Sequence, residues 1–183
     1  MADQAKFTVG VFAGIISTTT GKLLLRRRVE EDSIIPGQSF RGNWELPGGG
    51  VMDYEKMAYH LLARELEREV FEELGIRIAL NHIPAFYPVT FKGPKGPDLG
   101  LITTIVMAEP PHIKGEFLWV TPSELNELAA QFVAPKKDPP TEGKGLLSGT
   151  GKRMHCMALT AFYRAYGYNE QVYITLREIQ KAW

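Results

Sequence analysis

A chain of 183 residues, 44% hydrophobic and 23% charged, has the composition of an ordinary soluble globular protein and is long enough to bury one self-sufficient core. Its 21 basic and 21 acidic residues cancel, which excludes recruitment of nucleic acid or a membrane by a global field and leaves binding of a small molecule at a local site. Cys156 is the only cysteine, so no intrachain disulfide forms, and the apolar run at 9–16 is too short to span a bilayer and lacks the basic start of a signal peptide; a cytoplasmic protein is expected.

In chain order, FTVGVFAGIIST (7–18), a TTTG turn and KLLLRRR (22–28) predict a β-hairpin. Residues 29–43 carry Pro and Gly among mixed polar residues and read as a loop, followed by the short apolar WEL and a PGGG turn. A helical pattern then runs from Asp53, a suitable N-cap, to Leu74, with Gly75 as the stop. Strands are expected at 77–91 and 99–109, on either side of the turn KGPKGPD, and at 116–120. TPSELNELAAQF (121–132) opens with Thr, Pro and Glu in the order of a capped helix start. Residues 134–152 are rich in Pro, Gly and Lys and read as a long loop, and RMHCMALTAFYRAY (153–166) predicts a last helix, followed by a segment at 170–183.

The helix ending at Leu74 carries the functional signal. At about 100° per residue, Ala63, Leu66, Val70 and Leu74 form a core-facing stripe, while Glu65, Glu69, Glu72 and Glu73 fall in an adjoining arc. Glu65, Glu69 and Glu73 follow one another at i, i+4, where a solvated face gains more by alternating acids with bases. An acidic surface remains one explanation, because exposed like-charge pairs cost little; a cation site is the other. Clustered hard oxygens suit Mg²⁺ or Mn²⁺, which completes its shell with water and substrate phosphate oxygens, so the second explanation points to phosphate chemistry.

ELPGGGV, then Glu55, then REVFEELGI resembles the Nudix hydrolase box, G-x5-E-x7-R-E-U-x-E-E-x-G-U with U aliphatic. Arg68, Glu69, Val70, Glu72, Glu73, Gly75 and Ile76 fill every specified position of the second half, and Gly49 and Glu55 fill the first. The join departs from the pattern: twelve residues separate Glu55 from Arg68 where the family has seven. Because MAYHLLARELEREV holds no Gly or Pro, a longer helix is expected to take up the extra residues, which moves Glu55 from its usual place and leaves Glu65 to stand near Glu69.

The resemblance implies an α/β fold, an α/β/α sandwich around a central mixed sheet, in a single domain over 1–183. The family-like core covers about 7–132, and 133–183 add a loop and a C-terminal helical extension that packs on the fold or forms a homodimer contact. It also implies hydrolysis of the pyrophosphate bond of a nucleoside diphosphate linked to another moiety, by attack of water on phosphorus with Mg²⁺ or Mn²⁺ as cofactor. Glu69, Glu72, Glu73 and the Gly48 carbonyl are the implied metal ligands, and Arg68 orients the carboxylates. Glu116, ahead of Trp119, is expected as the assisting carboxylate from outside the helix. Arg26 and Arg28, which alternation puts on one strand face, are candidates to clamp substrate phosphates, with Trp44 as a stacking surface and Gly49 as a close backbone approach. A non-catalytic nucleotide-sensing Nudix module is the alternative, and the intact REVFEE argues against it.

Overall fold

The computed structural model describes residues 8–29, 41–51, 60–80, 85–93, 96–130 and 152–167. A mixed sheet lies between two helical layers. Strands β1 (Thr8–Ser17) and β2 (Leu23–Arg27) form the expected hairpin, turned through Gly21 at φ 69°. β3 (Trp44–Glu45) and β4 (Gly48–Gly50) follow, then helix α1 (Leu61–Leu74), β5 (Tyr87–Gly93), β6 (Gly96–Met107), β7 (Phe117–Val120), α2 (Pro122–Ala130) and α3 (Lys152–Tyr166). The sheet runs β3-β2-β1-β6-β5, with β4 beside β1 and β7 beside β2; β1 and β6 are parallel and the other pairs antiparallel.

Strand alternation sorts the core into two layers. Val11, Ala13, Ile15 and Leu24 point to α1 and join Leu66, Val70 and Leu74, the stripe expected from helical spacing. Ile16, Leu23 and Leu25 point the other way and share a cluster with Leu125 of α2 and Met154, Met157 and Phe162 of α3. Helix α3 lies close on the sheet because Gly14 has no side chain: a Cβ there would come within 2.2 Å of the Ala161 Cβ. Thr121 and Glu124 start α2 with the reciprocal cap that their spacing predicts, Glu124 N–H donating to Thr121 Oγ1 at 3.2 Å and Thr121 N–H to Glu124 Oε2 at 2.7 Å.

Four expectations are corrected. The helix does not run unbroken from Asp53: α1 begins at Leu61, and His60 stands before it at φ −111° and ψ 19°, outside helical geometry. Asp53 and Glu55 lie outside the described residues. PGGG is not a turn: Gly48, Gly49 and Gly50 pair with Phe12, Val11 and Gly10 as a short strand. Of the strand expected at 77–91, residues 77–80 form no ladder, because Ile76, Ile78 and Leu80 alternate to pack against the α1 layer and Glu67 accepts the Leu80 N–H at 2.8 Å; residues 81–84 lie outside the described ones, and β5 is Tyr87–Gly93. KGPKGPD is mostly strand, since β5 runs to Gly93 and β6 starts at Gly96. The segment at 170–183 and most of the 134–152 loop lie outside the described residues, and among the described ones no helix is long and apolar enough to cross a membrane.

Candidate active site

Two short elements bring the acidic helix face against a side-chain-free backbone. Gly48 must be glycine: its φ is 143°, and a Cβ would lie 2.1 Å from the Val11 carbonyl oxygen. This pins β4 flat on β1, and the Gly48 N–H donates to Glu73 Oε2 at 2.9 Å. Gly49 lies against Glu69 so closely that a Cβ would meet its carboxylate carbon at 2.7 Å. Glu69 and Glu73, one helical turn apart, thus face successive residues of one extended strand. Gly75 at φ 69° ends α1, and Lys114 closes it by donating its N–H to the Leu74 carbonyl at 2.8 Å and its Nζ to the Glu72 carbonyl at 3.0 Å.

Two arginines hold the acids. On the helix, Arg68 reaches Glu65 at 2.9 Å and Glu69 at 2.5 Å through Nη2, and Glu72 at 2.8 Å through Nη1. Glu65, Glu69 and Glu72 therefore share one guanidinium, which the hydrogen bond it donates to Glu65 and then the charge of Glu69 hold still more firmly protonated, against the opposing effect of burial. From β2, Arg26 Nη2 reaches Glu73 Oε1 at 2.6 Å and Glu45 Oε1 at 2.5 Å. All three side chains are nearly closed to solvent, at 7% exposed for Arg26, 9% for Glu73 and 5% for Glu45. Burial pushes the Glu73 carboxyl up to about 8, against the opposing pull of Arg26 and the Gly48 N–H.

Several expected site residues sit elsewhere than anticipated. Arg26 is no open phosphate clamp, because burial commits it to Glu45 and Glu73; Arg28 leaves the same face and reaches Glu45 Oε2 at 3.2 Å. Trp44 packs against the α3 layer rather than standing free as a stacking surface. Glu116 is tied to Arg27 at 2.7 Å with its side chain 68% exposed, and Arg27 alternates to the sheet face opposite Arg26, so the structure does not bring Glu116 to α1. Glu45 went unrecognised in the sequence, although an acid inside the apolar tripeptide WEL, facing a strand with two arginines on one side, is a signal for it.

The donor chemistry fits a hard divalent cation: carboxylate oxygens lie directly against glycine backbone, so close that a Cβ at Gly49 would meet the Glu69 carboxylate. Among the described residues no three acids, histidines or cysteines already converge on one point, since Arg68 and Arg26 hold the carboxylates.

No family model matches the chain. The MutT protein of Methanosarcina mazei Go1 superposes on it with a TM-score of 0.50 and 25% identity, over 73% of this chain and 88% of that one. A MutT-like protein of Streptomyces ambofaciens is 27% identical over 140 residues, 73% of this chain and 77% of its own length. With the REVFEELGI motif set against a glycine strand in the same fold, these likenesses decide the assignment. The chain belongs to the Nudix hydrolase family. Its chemistry in general terms is pyrophosphate hydrolysis, and the family uses divalent metals. A MutT/Nudix family protein of Enterococcus faecalis superposes more loosely, with a TM-score of 0.46 and 21% identity over 65% of this chain and 45% of that one.

Proposed function

We propose that this Nudix hydrolase splits the pyrophosphate bond of a nucleoside diphosphate linked to another group, with Mg²⁺ or Mn²⁺ held by Glu69, Glu72, Glu73 and the Gly48 carbonyl. The observation that carries this reading is the placement of Glu69 and Glu73 against Gly49 and Gly48, where backbone and carboxylates meet with nothing between them. When bound, the ion polarises phosphoryl oxygens and offsets charge on the leaving phosphate.

The chain's own residues supply the rest. Arg26 and the Gly48 N–H fix the two oxygens of Glu73, so that this carboxylate keeps one orientation. Arg68 takes Glu69 Oε1 and leaves Oε2 to face the reaction. In the proposed step the oxygen of water bonds to one phosphorus, the bridging P–O bond breaks with its electrons passing to the leaving phosphate, and the water proton passes to Glu69. The bare backbone of Gly49 lets the phosphates approach without a side chain in the way.

A panel of diphosphate compounds (nucleotide sugars, dinucleoside polyphosphates and nucleoside triphosphates) assayed with and without Mg²⁺ tests the proposal. Phosphate or nucleotide release from at least one compound, abolished by a chelator and restored by Mg²⁺, is the expected result. Turnover that persists unchanged in chelator overturns the metal assignment.

A further inference from the structure

The Arg26 guanidinium is shared. A single nitrogen, Nη2, lies 2.5 Å from Glu45 Oε1 and 2.6 Å from Glu73 Oε1, and all three side chains are more than nine-tenths buried. Glu45 Oε1 has no directed hydrogen bond although the cation lies beside it, so the contact is one of charge. The other oxygen, Oε2, takes Arg28 Nη1 at 3.2 Å. β2, β3 and α1 thus each contribute to one buried cluster, of which only Glu73 belongs to the REVFEELGI motif.

We propose that Glu45 is a positioning residue that acts through Arg26 to set how tightly the site holds a divalent cation. The inference rests on the assignment of Glu73 as a cation ligand. A buried guanidinium given wholly to Glu73 competes with an incoming cation for the same oxygen, and it does so in a medium where charge interactions are poorly screened. Glu45 draws part of that guanidinium away. It holds Arg26 close enough to orient Glu73 and loosely enough to leave its lone pairs for a metal, as residues behind a metal ligand commonly do. Removing the carboxylate at 45 lets Arg26 settle on Glu73, and cation affinity falls even though no ligand has changed.

Loss of a nearby negative charge weakens cation binding by its field alone, so the test is a double-mutant cycle. Mn²⁺ binding to the full chain, read from the electron paramagnetic resonance signal of the free ion, is measured for wild type, Glu45→Gln, Arg26→Gln and the double variant, with melting recorded for each. Glu45→Gln is expected to weaken Mn²⁺ about tenfold when Arg26 is present and less than about twofold when it is replaced. Glu45→Asp, which keeps the charge but withdraws it by one methylene, is expected to lie between wild type and Glu45→Gln; it carries the test if the amide variant does not fold. Equal losses in both Arg26 backgrounds overturn the inference, as does a lowered melting temperature with Mn²⁺ affinity unchanged. Failure of the wild-type protein to bind Mn²⁺ at all overturns the metal assignment and this inference with it.

Discussion

On the α3 face of the sheet, Leu23 and Leu25 join Met154, Met157 and Phe162 in an apolar layer, whereas Arg26, the next residue along β2, leaves on the α1 face and is buried between two glutamates. Both layers are tightly packed, and in both a glycine lets the helix come close: Gly14 under Ala161 on one side, Gly49 under Glu69 on the other. The difference lies in what the missing Cβ admits. At Gly14 it admits helix backbone and so contributes stability; at Gly49 it admits a carboxylate and so contributes a site. Among the described residues, the buried acids Glu45 and Glu73 on the α1 face are partnered by arginine, the arrangement that a low-dielectric interior demands of ionised groups.

The largest effect expected from this contrast is on the charged side. Glu73→Gln should lower turnover on the best substrate of the panel by about 100-fold or more while circular dichroism shows the fold retained; near wild-type turnover would remove Glu73 from the site. On the apolar side, Gly14→Ala should cost about 1–3 kcal/mol in denaturant unfolding, because the Ala161 backbone must shift, with turnover per folded molecule unchanged. Its counterpart Gly49→Ala pushes against the movable end of a side chain, so melting should hardly change while turnover drops about tenfold. Equal behaviour of the two alanine variants would erase the contrast.

A smaller effect concerns pH. His155, on α3, is buried with Nε2 at 2.7 Å from Asn126 Oδ1 of α2, and burial pushes it down to about 4 from an ordinary 6.5. Between those values the unfolded chain takes up a proton that the folded one refuses, so stability falls as pH drops from 6.5 toward 4, by about 1.4 kcal/mol per pH unit at most. His155→Gln should flatten that part of the stability profile relative to wild type, and identical slopes would show that folded His155 takes up the proton as readily as the unfolded chain does.

Much of this was legible in the sequence where local pattern and burial agree. LLLRR alternates, so Leu23, Leu25 and Leu24, Arg26 part to opposite faces; the stripe Ala63, Leu66, Val70, Leu74 is the buried face of α1; and Thr121 with Glu124 announces the start of α2. The misreadings arise where one pattern has two physical causes. Ile76, Ile78 and Leu80 alternate because a loop packs on the core, not because a ladder forms. PGGG has turn composition yet pairs with β1, because only glycine fits against Val11 and Glu69. Within the site, the motif located Glu69, Glu72, Glu73 and Arg68 on one helix, where spacing alone fixes proximity. Arg26 and Glu45 reach the same cluster through strand pairing, which spacing along the chain does not encode, and Glu116 beside Trp119 sits on the wrong face by the alternation of its partner strand.

The most direct measurement is a crystal soaked in Mn²⁺ and examined by anomalous diffraction. The expected result is an ion held by the carboxylates of Glu69 and Glu73 beside the Gly48–Gly50 strand, displaced when the crystal is washed with chelator. Strong anomalous density elsewhere, with Glu69 still on Arg68 and Glu73 still on Arg26 and no ion between them, would contradict it.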